Sequence, residues 1–168
     1  MNIYFDTFKT PLGQMTAAAT EAGAICLFDF SDCADRSDQL LRRRFGSFDR
    51  AMRPNPQGIR DRVSDYFAGR NPATAFDKLA LDTGGTPFQI TIWSELRKIP
   101  YGETISYGEL AERAESPRAG RAAGSANAQN PVAIIIPCHR VIAGDGALSG
   151  YAGGVARKQK LLALESRF

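Results

Sequence analysis

Histidine is all but missing from this 168-residue chain: His139 stands alone against 21 Lys/Arg and 18 Asp/Glu. A metal site built on several imidazoles is therefore nearly excluded. Cysteine is scarce too. Cys26, Cys33 and Cys138 are too few, and odd in number, for a disulfide framework. None belongs to a C-x-x-C pair, so zinc is not expected. No apolar run approaches the roughly 20 residues that span a bilayer. The opening MNIYFDTFKTPLG has neither the basic start nor the apolar stretch of a secretory signal. These absences predict a cytoplasmic protein with no metal, no cofactor and no membrane partner.

What is present is globular. Hydrophobic residues make up 43% and charged residues 23%, too apolar a mixture for a disordered chain. The length suits one ordinary domain or two small ones. The net charge of +3 conceals an asymmetry. From Ser116 to Phe168 there are seven Lys/Arg and two acids, a balance of +5 that leaves −2 for the remainder. The C-terminal third is the place to look for a polyanionic partner, set against the plainer reading of a solvated basic surface.

Along the chain, IYFDTF, MTAAAT and AICLFDF read as three strands of a meander, with turns at TPLG and TEAG. SDCADRSD could cap a short basic helix, QLLRRRF. Five nearby aspartates (Asp29, Asp32, Asp35, Asp38, Asp49) make its RRR run a self-neutralised face rather than a nucleic-acid patch. Ile59, Val63, Tyr66 and Phe67 fall at helical spacing, with Gly69 as the stop. Residues 69–85 form a loop, the candidate link between a domain at 1–80 and another at 86–168. Thr86, Pro87 and Gln89 make a capping box for a helix buried through Phe88, Ile92, Trp93 and Leu96. Ser106 and Glu109 form an S-x-x-E capping box for the next helix, with Leu110 and Ala114 inward. ESPR leads into AGRAAGSANA, completing a helix-turn-helix pattern. That last helix has almost no bulk apart from Arg121, so its backbone can approach something closely, either DNA or a neighbouring helix. VAIII reads as a buried strand ending at Pro137. VIA is β-type, GDGALSGYAGG a flexible loop, and a final helix from Val155 turns Leu161, Leu162 and Leu164 inward.

The chemistry lies in Ile-Pro-Cys-His-Arg. Cationic neighbours lower a thiol pKa, and the thiolate is the nucleophile. Cys26, in an apolar strand, reads as a small core residue, and Cys33 as a bystander. Cys138 is flanked by the only histidine and by Arg140. On an extended strand, neighbours point to opposite sides, so a water would bridge His139 to the Cys138 sulfur. A third group would orient the imidazole. Of Asp145 and Glu165, the latter is preferred because it sits on a rigid helix.

NPVAIIIPCHRVI, GYAGG, the helix ending LLALE, FQITIWSELRKIPYGETISYGELA and GRAAGSANAQNP together resemble the O6-alkylguanine-DNA alkyltransferases, also called methylated-DNA–protein-cysteine methyltransferases. TPLGQMTAAATEAGAICLFDF extends the likeness to the bacterial constitutive short form, without an added regulatory domain. The resemblance implies an α/β (α+β) protein. An N-terminal antiparallel sheet with flanking helices, ribonuclease H-like, would precede a mostly helical C-terminal winged helix-turn-helix domain. It implies repair by direct damage reversal. Double-stranded DNA carrying O6-alkylguanine is bound in the minor groove, the guanine is flipped out, and its alkyl group passes irreversibly to Cys138 in a single turnover. The protein would act as a monomer.

By position in the motifs, the resemblance makes Cys138 the acceptor, His139 its base through water, and Glu165 the group that polarises His139. Tyr107 assists the departing guanine and Asn130 forms the turn before the acceptor segment. Arg121 fills the gap left by the flipped base, alongside DNA contacts from Ala122, Gly124, Ser125, Tyr107 and Arg140. Pro137, Tyr151, Ala152 and Gly153 line the pocket. Lesion preference, including O4-alkylthymine, is left open. Two other readings remain: a lesion-binding relative that transfers nothing, and a thiol hydrolase using Cys138, His139 and Glu165.

Overall fold

The computed structural model describes residues 1–148 and 150–167, so Ser149 of the GDGALSGYAGG loop and Phe168 lie outside the described residues. The chain divides into two compact units, Met1–Gly84 and Gly85–Phe168. Both contain helices, and a four-stranded sheet makes the fold mixed α/β.

In the first unit, β1 (Asn2–Thr10), β2 (Gly13–Ala19) and β3 (Ile25–Phe30) form the expected antiparallel meander. A fourth strand, β4 (Asp49–Met52), pairs parallel with β1 and closes the order β3-β2-β1-β4. The sheet is therefore not purely antiparallel. DRAM gave no strand signal because it is short, polar and largely exposed at an edge. Strand alternation gathers Ile3, Phe5, Ala18 and Leu27 with Leu41 of α1 (Ala34–Phe45) in one apolar cluster. That helix begins five residues before Gln39, within the stretch read as its cap. Its basic run is answered by acids: Arg42 meets Asp38 at 2.8 Å and Arg44 meets Asp82 at 2.6 Å. A second helix, α2 (Ile59–Ala68), buries Ile59, Val63 and Tyr66 and stops at left-handed Gly69. Its Arg60 pairs with buried Asp6 of β1, which also accepts the Asn55 amide at 2.8 Å.

The second unit opens with α3 (Pro87–Leu96), capped by Thr86 and Gln89 in a reciprocal box. The next two helices are α4 (Tyr107–Arg113) and α5 (Gly120–Ala128), separated by residues 114–119. The Ser106 hydroxyl accepts the Glu109 amide at 3.1 Å, but the Glu109 carboxylate takes Arg113 instead of reaching back, so only the Ser106 half of the expected capping box forms. The Trp93 indole donates to the Ala126 carbonyl at 2.9 Å, fixing the end of α5 to α3. Two short strands, β5 (Ile105–Ser106) and β6 (Val141–Ile142), pair in parallel, and α6 (Val155–Glu165) follows.

Two further expectations fail in this second unit. VAIII is not a strand. Residues 132–136 are wound into tight buried turns in which the Ile136 amide donates to the Val132 carbonyl and Ile134 takes a φ of 69°. An all-apolar run carries no periodicity that separates a buried strand from a buried turn. The inward face of α6 is not three leucines either. Leu161 is buried, but its companions are Lys158 and Glu165, at 0% and 3% exposure. Among the described residues no helix is long and apolar enough to cross a membrane.

Candidate active site

Cys138, His139 and Arg140 form one 3-10 turn, all of it buried. Adjacent residues therefore do not alternate as on the expected strand, and strand alternation does not separate the Cys138 sulfur from the imidazole. The turn is pinned from α5. Asn130 lies just past that helix; its side-chain amide donates to the Ile136 carbonyl at 2.8 Å and its oxygen accepts the Val132 amide at 2.9 Å. One turn earlier, the Asn127 amide donates to the Cys138 carbonyl at 3.3 Å. Both asparagines are buried.

His139 and Glu165 meet as the sequence suggested. His139 Nε2 lies 2.7 Å from Glu165 Oε2, with the side chains 0% and 1% exposed. Burial by itself would raise the Glu165 carboxyl. Hydrogen bonds from His139 and Arg140 outweigh it and hold the group far below the usual carboxylate range. Burial also dominates at His139 and holds the imidazole below its ordinary value, although its bond to Glu165 pulls the other way. The pair is thus a neutral ring beside a carboxylate. A carboxylate only accepts, so Nε2 carries the proton and Nδ1 the lone pair. Nδ1 is buried and has no protein hydrogen-bond partner among the described residues.

Two buried cations complete the cluster. Arg140 was expected to face DNA; instead its guanidinium turns inward. Nε and Nη2 donate to the two Glu165 oxygens at 2.7 and 2.9 Å, and Nη1 donates to the Ile99 carbonyl at 2.8 Å. Lys158 was not foreseen. Its ammonium donates to the Val141 carbonyl at 2.6 Å and lies 5.9 Å from the centre of the Tyr107 ring. Burial lowers its pKa, and the charge of Cys138 opposes that shift. The available signal was spacing: positions 158 and 165 share a helix face with the inward Leu161. Asn127 went unnoticed within a small-residue helix.

The other anticipated residues lie on α4, on α5 and in the segments just before Cys138 and α6. Tyr107, first in α4, is half-buried; an added Cβ on Gly124 of α5 would meet its ring at 3.6 Å, and one on Gly150 its hydroxyl at 3.4 Å. Arg121, Ala122 and Ser125 are exposed on α5, Gly124 is partly exposed, and Ala123, Ala126 and Asn127 face inward. Pro137 directly precedes Cys138 as the first residue outside its turn. Tyr151, Ala152 and Gly153 lead into α6, where the Gly154 amide bonds the Tyr151 carbonyl at 3.0 Å. Cys26 is a different kind of thiol: burial pushes it up to about 12.

Comparison with known proteins agrees with both units. Residues 3–83 match the family of the 6-O-methylguanine DNA methyltransferase ribonuclease-like domain, and residues 87–167 that of the 6-O-methylguanine DNA methyltransferase DNA binding domain. A methylated-DNA–protein-cysteine methyltransferase of Mycolicibacterium paratuberculosis is 54% identical over 165 residues, covering 98% of this chain and 93% of that one. One from Salmonella typhimurium is 44% identical over 159 residues, covering 94% and 92%. The crystal structure of the Mycobacterium tuberculosis protein in complex with DNA superposes with a TM-score of 0.80 at 37% identity, covering 99% of this chain and 94% of that one. From its sheet-bearing N-terminal half to its Cys-His-Arg turn, the chain belongs to the 6-O-methylguanine DNA methyltransferase family.

Proposed function

We propose that this chain repairs alkylated DNA by direct reversal, with Cys138 Sγ taking the alkyl group from O6 of an everted guanine and keeping it. One observation carries the reading: Cys138 adjoins a fully buried imidazole whose Nε2 is tied to Glu165 and whose Nδ1 has no hydrogen-bond partner among the described residues. That nitrogen accepts the thiol proton through a bridging water, and Glu165 balances the resulting imidazolium. The Lys158 ammonium offsets the charge left on sulfur. The thiolate attacks the alkyl carbon; a C–S bond forms, the C–O bond breaks, and its electron pair leaves with the guanine. The Tyr107 hydroxyl donates a hydrogen bond or a proton to that departing base. Nothing in this scheme cleaves the thioether, so each molecule acts once.

O6 lies inside the duplex, so the base must leave the stack, at a cost of a few kcal/mol and less for a damaged pair. The exposed small residues Ala122, Gly124 and Ser125 let α5 enter a minor groove about 6 Å wide, and Arg121 fills the vacated position. Pro137, Tyr151, Ala152 and Gly153 wall the pocket. In this reading residues 86–168 bind DNA and accept the alkyl group, residues 1–80 support them, and the protein works as a monomer in the cytoplasm, since one chain supplies every group required.

The test is transfer from duplex DNA containing O6-[³H-methyl]guanine. One label per protein, reaching a plateau and abolished by Cys138→Ser, is expected. Turnover beyond one equivalent, with the label released to solution, would mean a hydrolase. Binding of the lesion without label transfer would mean a lesion-recognition protein.

A further inference from the structure

Arg140 is an uncommon investment for a small domain: a guanidinium almost wholly withdrawn from water and held by three hydrogen bonds. Two go to Glu165 and the third to the Ile99 carbonyl, and the guanidinium carbon lies 5.6 Å from the centre of the Tyr101 ring. A planar fork that occupies both oxygens fixes the plane of a carboxylate as well as its charge. The oxygen that receives His139 Nε2 also receives Arg140 Nη2, while the other takes Arg140 Nε. Without this clamp the carboxylate could rotate, and its full negative charge would act on the ring alone.

We infer that Arg140 is a positioning residue of the proton chain, which aims Glu165 at His139 and balances its charge so that the imidazole stays neutral and Nδ1 stays bare. The inference rests on the function proposed above. With His139 neutral, the Arg140–Glu165 pair carries no net charge. Around it stand Lys158 on α6, the Cys138 thiol on the same turn, and the Tyr101 hydroxyl, whose pKa is raised mainly by burial and next by Glu165. Lys158 and Arg140 both act against protonation of His139. Removing the Arg140 charge makes a proton on the ring easier to hold and one on the thiol harder to lose. Both effects move the acid limb of the alkyl-transfer rate to higher pH. A neighbouring charge at such range is worth about one pH unit or more, roughly tenfold in rate on that limb. Side-chain packing alone would lower the rate equally at every pH.

The experiment measures single-turnover methyl transfer from a duplex carrying O6-methylguanine between pH 5 and 9 for the wild type, Arg140→Met and Arg140→Lys, with affinity for undamaged duplex measured in parallel. The expected result is an alkaline shift in Arg140→Met, largely reversed in Arg140→Lys, with duplex affinity following neither change. An unshifted limb in Arg140→Met, or a uniform loss at all pH, overturns the inference. A wild type that transfers nothing overturns the proposed function instead. Should Arg140→Met fail to fold, the wild type still decides. Its only imidazole gives an unambiguous ¹⁵N spectrum, in which a neutral Nε2–H ring at pH 7 is expected. A cationic ring or an Nδ1–H tautomer refutes the assignment.

Discussion

Replacing Glu165 by Gln keeps the side-chain volume and removes one charge from the centre of the cluster. The carboxylate is 1% exposed and accepts from His139 Nε2, Arg140 Nε and Arg140 Nη2 at 2.7, 2.7 and 2.9 Å. An amide has one accepting oxygen, and its NH₂ must then face a donor. Whichever way it turns, a buried guanidinium loses half its fork or the imidazole is forced to reverse its tautomer. Breaking a buried ion pair at one end costs about 3–5 kcal/mol. At this chain length each kcal/mol moves a midpoint by roughly 2–4 °C, so the transition that includes α6 falls by roughly 6–20 °C. The chemical effect is separate. If Nε2 becomes the acceptor, Nδ1 carries the proton and cannot take one from Cys138. Loss of a positioned base costs roughly 10²–10⁴ in rate. Thermal unfolding followed by circular dichroism reads the first quantity. Single-turnover transfer at a temperature where the variant is folded reads the second. A variant as stable and as fast as wild type would refute the charge argument altogether.

Four further outcomes follow from the same geometry. Asn130→Ala strips partners from the buried Ile136 carbonyl and Val132 amide, and should cost about 2–4 kcal/mol in urea unfolding together with a loss of transfer. Acidification should weaken the fold in two windows. His139 has a depressed folded pKa, so the unfolded chain binds its proton first, and stability falls as pH drops below 6.5. Glu165, also depressed, contributes stability above about pH 4.5 that is lost as pH falls further, and a flat profile across both windows would contradict these assignments. Iodoacetamide at pH 8 should leave Cys26, pushed up to about 12, unlabelled in the native protein while Cys138 reacts, as peptide mapping would show. Arg121→Ala should weaken duplex binding and slow transfer from duplex more than transfer from the free base O6-benzylguanine, which needs no base everted.

Much of this was legible locally. Thr86 with Gln89, the Ser106 hydroxyl with the Glu109 amide, and Ile59, Val63 and Tyr66 ahead of Gly69 are short-range signals that the structure repeats. The pairing of His139 with Glu165 was also accessible, because a rigid helix near the end of the chain offered the better acid. What escaped depends on distant partners. β4 exists only by pairing with β1, some 47 positions away, and carries no alternation of its own. Residues 132–136 look like a strand, yet Asn130 captures the Ile136 carbonyl and closes them into a turn. The hydrophobic rule misplaced the inner face of α6, because Lys158 and Glu165 are buried with hydrogen-bond partners and an apolar scale cannot anticipate buried charges that satisfy one another. Arg140 was placed on the DNA from its motif position alone, and nothing local in the sequence shows that Glu165, 25 positions on, draws its guanidinium inward.

The most direct measurement is the intact mass of the protein after incubation with excess duplex carrying O6-methylguanine, followed by mapping of the modified peptide. The account predicts a permanent gain of one methyl group, located on Cys138, at one equivalent per chain. An unmodified protein alongside repaired guanine and free methanol would contradict it.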